Sequence, residues 1–299
     1  MPRFFAPALV AVCVLSSSAA AQLQGRDGTR FTWSERIAAG QWIRVYGNQG
    51  RIQVSESTGD AVEVVGEKDL RRGRPEDVAF EVRRAGDGVT ICAIIDDDDD
   101  CDDEGVRHRG RWNSDSNDRR VNFTVRVPRG VNVAVGSGNG DVTVASAPAE
   151  VRASSGNGDV RVSAGGAVRA SSGNGEVRVD RAGGPVRASS GNGSVAVTTS
   201  RGPVTASSGN GDVDVTMDAI ADIPDDMELS SGNGRVTVTV PANFAGELDA
   251  ATSSGKFYTD FPLTIRGRID PRRVRATIGS GGRRLSLRSG NGDVELRKR

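Results

Sequence analysis

A single tripeptide limits what this chain can fold into. Gly-Asn-Gly recurs with its asparagine at Asn139, Asn157, Asn174, Asn192, Asn210, Asn233 and Asn291, at intervals of 18, 17, 18, 18, 23 and 58 residues. Self-similarity at a fixed period means one small unit repeated, and a unit that cannot bury its own apolar face must stack on its neighbours. One unit runs from Val151 to Ala167, the next starts at Val168 and a third at Val186. The last interval has room for three coils of about 19 residues, with worn corners at Ser253-Ser254-Gly255-Lys256 and Gly279-Ser280-Gly281-Gly282. Gly47-Asn48-Gln49-Gly50 is an early relative of the same corner.

Each unit holds two short runs of alternating character. Val151, Ala153 and Ser155 alternate with Arg152 and Ser154, and Val160 and Val162 flank Arg161. A period of two is that of a strand with one face in and one face out. Gly-Asn-Gly separates the two runs, and Ala-Gly-Gly or Arg-Gly-Pro closes the unit. Glycine and asparagine tolerate positive φ, so both junctions are expected to turn through that region.

Two topologies fit. An antiparallel meander would leave a broad apolar sheet face with nothing to cover it, since no amphipathic helix is evident after the first residues. In a solenoid the two strands of each coil face each other, and Val151, Val160, Val168, Val177, Val186, Val195, Val204 and Val213 stack on their equivalents about 4.8 Å apart. The expected fold is therefore all-β: a single-chain parallel β-solenoid of about 18 residues per coil, with an irregular β cap at the N-terminal side. The seven corner asparagines should form a hydrogen-bonded ladder along one edge. No residue between 131 and 243 is aromatic, whereas Phe31, Trp33, Trp42, Tyr46, Phe80, Trp112 and Phe123 precede that stretch and Phe244, Phe257, Tyr258 and Phe261 follow it. Large side chains are thus expected to close the two ends.

Residues 1–21 read as a secretory signal peptide: Arg3 supplies the basic start, Phe4 to Leu15 the short apolar run, and Ala19-Ala20-Ala21 the cleavage site. That run is too short to span a bilayer, which makes a membrane anchor the weaker reading, and a lipoprotein built on Cys13 is weaker too because Val12 precedes it where a small residue is wanted. The mature chain is then expected to carry no membrane span and to be exported, to the periplasm, the cell surface or beyond. Two cysteines remain, Cys92 and Cys101, and an even count in an exported chain predicts a disulfide. Residues 22–130 form the expected cap region, with the disulfide hairpin and an acidic loop, and residues 131–299 the repeat region, continuous with 31–130. Val78 to Val82 and Val89 to Ile95 read as a hairpin. Asp96 to Glu104 and the polar stretch to Arg120 read as a mobile surface loop.

Export signal, the Val127-Pro128-Arg129-Gly130-Val131 lead-in, repeated Ser-Gly-Asn-Gly-Asp-Val and Ile278-Gly279-Ser280-Gly281-Gly282 together resemble the bacterial "putative adhesin" family. The resemblance covers residues 31 to 299. It implies a parallel β-solenoid in the cell envelope or at the surface, and it brings no catalytic residues.

Functional chemistry is sparse. Lys+Arg and Asp+Glu are both 39, which argues against nucleic acid as the main partner. His108 is the only histidine, so histidine-rich metal sites are excluded and a Ser-His-Asp triad would have to use it. Acids follow many corners (Asp141, Asp159, Glu176, Asp212, Asp293), but not at the spacing of calcium-binding nonapeptide solenoids. Arg152, Arg169 and Arg187, with Arg161 and Arg178, form an exposed basic stripe. It either meets anionic glycans or lipopolysaccharide, or is a strand face on which arginines and acids offset one another. No catalytic residue, metal site or cofactor is expected. The function that follows is a non-enzymatic, adhesion-like or scaffold role in the envelope, toward a glycan or protein ligand. The alternatives are a polysaccharide lyase or glycosidase on the same solenoid, and a calcium-dependent binding module.

Overall fold

The computed structural model describes residues 22–71, 73–95, 99–108, 119–147, 149–200, 202–219, 225–265, 270 and 272–299. The expected signal peptide lies outside the described residues. The chain winds into two long sheets of thirteen and twelve strands, here called sheet A and sheet B, which face each other across one apolar interior. Each repeat donates one strand to each sheet, for example Val151–Ser155 to sheet A and Val160–Ala164 to sheet B. Neighbouring repeats pair in parallel and in register. Val151, Ala153 and Ser155 align with Val168, Ala170 and Ser172, which align in turn with Val186, Ala188 and Ser190. The fold is thus the expected parallel β-solenoid.

The interior is filled by these small side chains. Val160, Val177, Val195, Val213 and Val236 are all fully buried. A buried valine contributes about 1.5–3 kcal/mol, so a single rung has too little core to stand alone and its stability comes from stacking. The ends are wider. Phe31 stacks on Phe80 with ring centroids 4.3 Å apart, and Phe123 meets Phe80 edge-on at 5.9 Å. At the other end Phe244 meets Phe261 at 6.2 Å.

Rung order departs from chain order at both ends. The rung made of Trp42–Gln49 and Ile52–Glu56 stacks directly on the rung made of Asn132–Asn139 and Val142–Ala147, about ninety residues later in the chain. The intervening chain returns outside it: Gly88–Ile94 covers Trp42–Gln49 in sheet A, and Arg119–Val127 covers Ile52–Glu56 in sheet B. At the far end Arg284–Ser289 and Val294–Lys298 lie between the rung of Met227–Ser231 and Val236–Val240 and the rung of Gly246–Thr252 and Phe257–Thr259. Three consecutive coils in the last interval are therefore not what forms. One rung, 246–259, sits outermost. Arg273–Ile278 runs antiparallel beside Gly246–Thr252, and Gly279 to Gly282 is the turn into the inserted rung rather than a corner. Gly279, Gly281 and Gly282 all have positive φ there.

The repeat glycines do not. None of the Gly-Asn-Gly corners uses positive φ. Close approach explains the glycines instead: a Cβ on Gly191 would lie 2.4 Å from the carbonyl oxygen of Gly173, and one on Gly173 would lie 2.4 Å from that of Gly156. Rungs stack backbone upon backbone at this edge, and any side chain would push them apart.

Candidate binding faces

The corner edge carries three parallel hydrogen-bonded columns. In the first, Asn174 Nδ2 donates to Asn157 Oδ1 at 2.5 Å, Asn192 to Asn174 at 2.6 Å, Asn210 to Asn192 at 2.7 Å and Asn233 to Asn210 at 2.6 Å. Asn157 donates likewise to Asn139. Asn291 donates to Asn233 at 2.7 Å, although 58 residues separate them, because the inserted rung takes the next position in the stack.

The second column is buried. Ser190 Oγ donates to the carbonyl of Gly175 and accepts from the N–H of Gly193, both at 2.8 Å. Ser172 and Ser155 do the same one and two rungs away, and Thr252 takes the role in the outermost rung. Each hydroxyl thus ties its own corner to the next. The sequence shows these serines only as invariant positions of the repeat; their burial on the inward phase of the strand was the available signal. In the third column the acids after the corners cap backbone N–H groups of the next rung: Asp141 accepts from Asp159, Asp159 from Glu176, Asp212 from Arg235 and Asp293 from Lys256. They are engaged by backbone rather than left merely solvated.

Outside sheet A, at the N-terminal side, a second small core forms from Tyr46, Ala79, Cys92, Ile94, Cys101 and Ala134. Cys92 and Cys101 are joined in a disulfide with Cα atoms 6.0 Å apart. It ties the hairpin of Asp99–Asp102 and Gly105–His108 onto the sheet. The described part of the acidic stretch is thus an ordered hairpin, not a mobile loop; residues 96–98 and 109–118 lie outside the described residues. The aspartates are used locally. Asp99 accepts from the N–H of Ile95, Asp102 from those of Glu104 and Gly105, and Asp103 from Thr90. Tyr46 donates its hydroxyl to the carbonyl of Asp103 at 3.0 Å, and burial pushes its phenol up to about 12. Among the described residues no three His, Cys, Asp or Glu are grouped to hold a metal ion.

Beyond this hairpin the outer face of sheet A is open. Arg152, Arg169 and Arg187 are in register on three successive strands, with Ser154, Ser171 and Ser189 beside them. Arg152 pairs with Glu150 and lies over the Trp42 ring at 4.2 Å. Arg169 and Arg187 are exposed and have no ion pair among the described residues. Sheet B differs. Arg161 is matched by Asp159 at 2.9 Å, and Arg178 by Asp180 at 3.4 Å and Glu176 at 3.6 Å. Offsetting charge therefore holds on sheet B and fails for Arg169 and Arg187 on sheet A. No helix among the described residues is long and apolar enough to cross a membrane.

Residues 43–297 match the protein family described as Toastrack DUF4097. Among solved structures, the chain is similar to a "putative adhesin" from Parabacteroides distasonis ATCC 8503, with 14% identity over 91% of this chain and 98% of that one and a TM-score of 0.46. It is similar to a "putative adhesin" from Bacteroides fragilis NCTC 9343, with 12% identity over 92% and 99% and a TM-score of 0.40. A "putative lipid binding protein" from Parabacteroides distasonis ATCC 8503 shares 11% identity over 91% and 98%, with a TM-score of 0.43. No curated protein matches the chain.

Proposed function

The chain belongs to the Toastrack DUF4097 family, and from that premise we propose that it is a non-enzymatic, exported β-solenoid whose outer faces bind a ligand of the cell envelope. The interior is filled by stacked valine, alanine and serine side chains, so the faces and edges of the rod are what it offers a partner. The observation that carries the reading is the open ladder of Arg152, Arg169 and Arg187, one guanidinium per rung, with Arg169 and Arg187 unmatched by acids. Rungs repeat at about 4.8 Å, so the ladder presents evenly spaced charge along a line. A linear anionic glycan presents the same pattern, and the serine hydroxyls alongside supply donors and acceptors for its sugar oxygens.

The test is an array of neutral and acidic polysaccharides probed with the chain, run beside a reducing-end assay on the same polymers. Binding to acidic polymers without new reducing ends is expected, lost in Arg169→Glu/Arg187→Glu and weakened by salt. Turnover that one Asp→Asn or Glu→Gln substitution abolishes would instead establish the glycosidase or lyase alternative. A melting temperature lowered by a chelator would establish the calcium-dependent one.

A further inference from the structure

The asparagine column has a direction, and therefore two unlike ends. Asn157 donates to Asn139 and accepts from Asn174, and the same sense holds along the column as far as Asn291, which donates to Asn233 at 2.7 Å. The next rung presents Ser254 where an eighth asparagine would stand, since Thr252 aligns with Ser289 and Phe257 with Val294. Asn291 Oδ1 accordingly accepts no hydrogen bond among the described residues. An open notch of about 390 Å³ lies at this point, bordered by Ser254, Gly255, Asn291 and Gly292.

Local sequence does not set this corner apart. Asn139, Asn157, Asn210 and Asn291 all sit in the same pentapeptide, Ser-Gly-Asn-Gly-Asp. Asparagine is a thermolabile residue, and a following glycine puts no side chain in the way of its own backbone nitrogen. At Asn157 three hydrogen bonds oppose reaction between the two. The amide is held on both sides, and the Gly158 N–H donates to Ser155 Oγ at 2.8 Å. At Asn291 one bond remains: the amide is held only through Nδ2, and the Gly292 N–H has no acceptor among the described residues. Both asparagines are exposed, so access of water does not distinguish them. Each net hydrogen bond is worth about two- to ten-fold in the fraction of time a group is released, so two fewer raise that fraction about ten-fold.

We propose that Asn291 is a deamidation site of the folded rod, left open by the end of a ladder that protects the asparagines within it. The Gly292 nitrogen attacks Asn291 Cγ as its proton passes to water or hydroxide. The bond from Cγ to the side-chain nitrogen breaks, ammonia leaves and a five-membered succinimide closes. Water then opens that ring at either carbonyl, giving aspartate or isoaspartate, with no oxidant or reductant required. Either product changes the stack. A carboxylate opposite Asn233 Oδ1 sets two acceptors face to face and ends the donation that joins the inserted rung to its neighbour at this edge. Isoaspartate also adds one atom to the main chain, where a Cβ on Gly290 or Gly292 would already lie 2.4 Å and 2.2 Å from the carbonyl oxygens of Gly232 and Gly234. The rung of Arg284–Ser289 and Val294–Lys298, and the outermost rung resting on it, are then expected to loosen while the central rungs hold.

Incubating the full chain in mildly alkaline buffer and mapping its peptides by mass spectrometry reads the rate at each corner, and the same chain in urea gives the rates that the sequence alone sets. In urea Asn157 and Asn291 should react equally; in the folded chain Asn291 should react about ten-fold faster than Asn157. Ser254→Asn supplies the missing donor and should slow Asn291 several-fold, whereas Ser254→Ala should leave it unchanged. Asn192→Ser removes the donor that Asn174 Oδ1 accepts from and should speed Asn174. The two variants move different corners in opposite directions, so either one decides if the other misfolds. In the aged chain, hydrogen exchange should show protection lost in residues 284–298 and 246–259 before the central rungs. Equal rates at Asn157 and Asn291 in the folded chain would overturn the proposal. So would an unmodified Asn291 once the unfolded chain has fully reacted, or a well-folded Ser254→Asn or Asn192→Ser without its effect. None of these readings uses a ligand, so they leave the proposed function to its own test.

Discussion

Replacing Ser190 by alanine removes one hydroxyl and two hydrogen bonds. The hydroxyl donates to the Gly175 carbonyl and accepts from the Gly193 N–H, both at 2.8 Å, and the residue is 6% exposed. Its neighbour Ser189 lies on the opposite, outward phase of the same strand, so Ser189→Ala is the matched control. Stranding a buried backbone group costs about 1–3 kcal/mol. With two groups stranded and part of the loss recovered by relaxation, the expected destabilisation is about 2–4 kcal/mol for Ser190→Ala, against no more than about 0.5 kcal/mol for Ser189→Ala. Urea unfolding followed by far-UV circular dichroism reads both midpoints, with the slope checked because stacked repeats can unfold in parts. Ser190→Thr should keep most of the stability, since Thr252 makes the same two bonds in the outermost rung. Equal midpoints for the two alanine variants would refute the claim that the inward hydroxyl column holds the corners together.

Gly191→Ala should destabilise by about 1–3 kcal/mol through overpacking, because its Cβ would meet the Gly173 carbonyl oxygen at 2.4 Å. Gly28→Ala, where nothing lies within 4 Å, should cost only the strain of its positive φ; urea midpoints compare the two. Tyr46 should resist ionisation, because burial raises its phenol from the ordinary 10.0 to about 12. The stability this confers is complete below pH about 10 and is lost as pH rises through about 12, so the phenolate absorbance that Tyr46 adds on approaching pH about 12 should be missing from Tyr46→Phe, which keeps only that of Tyr258. Cys92→Ala/Cys101→Ala should cost about 2–3 kcal/mol and lose amide protection first in residues 99–108, with the central rungs unchanged in hydrogen exchange.

Much of the rod was legible because its rules are local. Val151 and Val160 point inward because alternation in a strand leaves no other choice, and identical rungs stack in register because a slip by one residue would turn every valine outward. The corner asparagines could be placed on one edge for the same reason. Other features were not legible. Positive φ and close approach both select glycine, and only the distance from Gly191 to Gly173 distinguishes them. The neighbours of Asp249 were hidden because Arg273–Ile278 and Arg284–Ser289 flank its strand only through pairing out of chain order.

The sequence alone determined what a rung is: its length, its inward valines and serines, and its Gly-Asn-Gly corner. Only the tertiary structure decided which rung lies on which. Contacts between rungs are made by backbone groups and by the same few side chains at every level, so Asn291 meets Asn233 as well as an adjacent repeat would. Stacking of this kind is indifferent to chain order. The order was settled at the ends, where the phenylalanine clusters and the antiparallel returns of Ala79–Ala85 and Arg273–Ile278 close the stack.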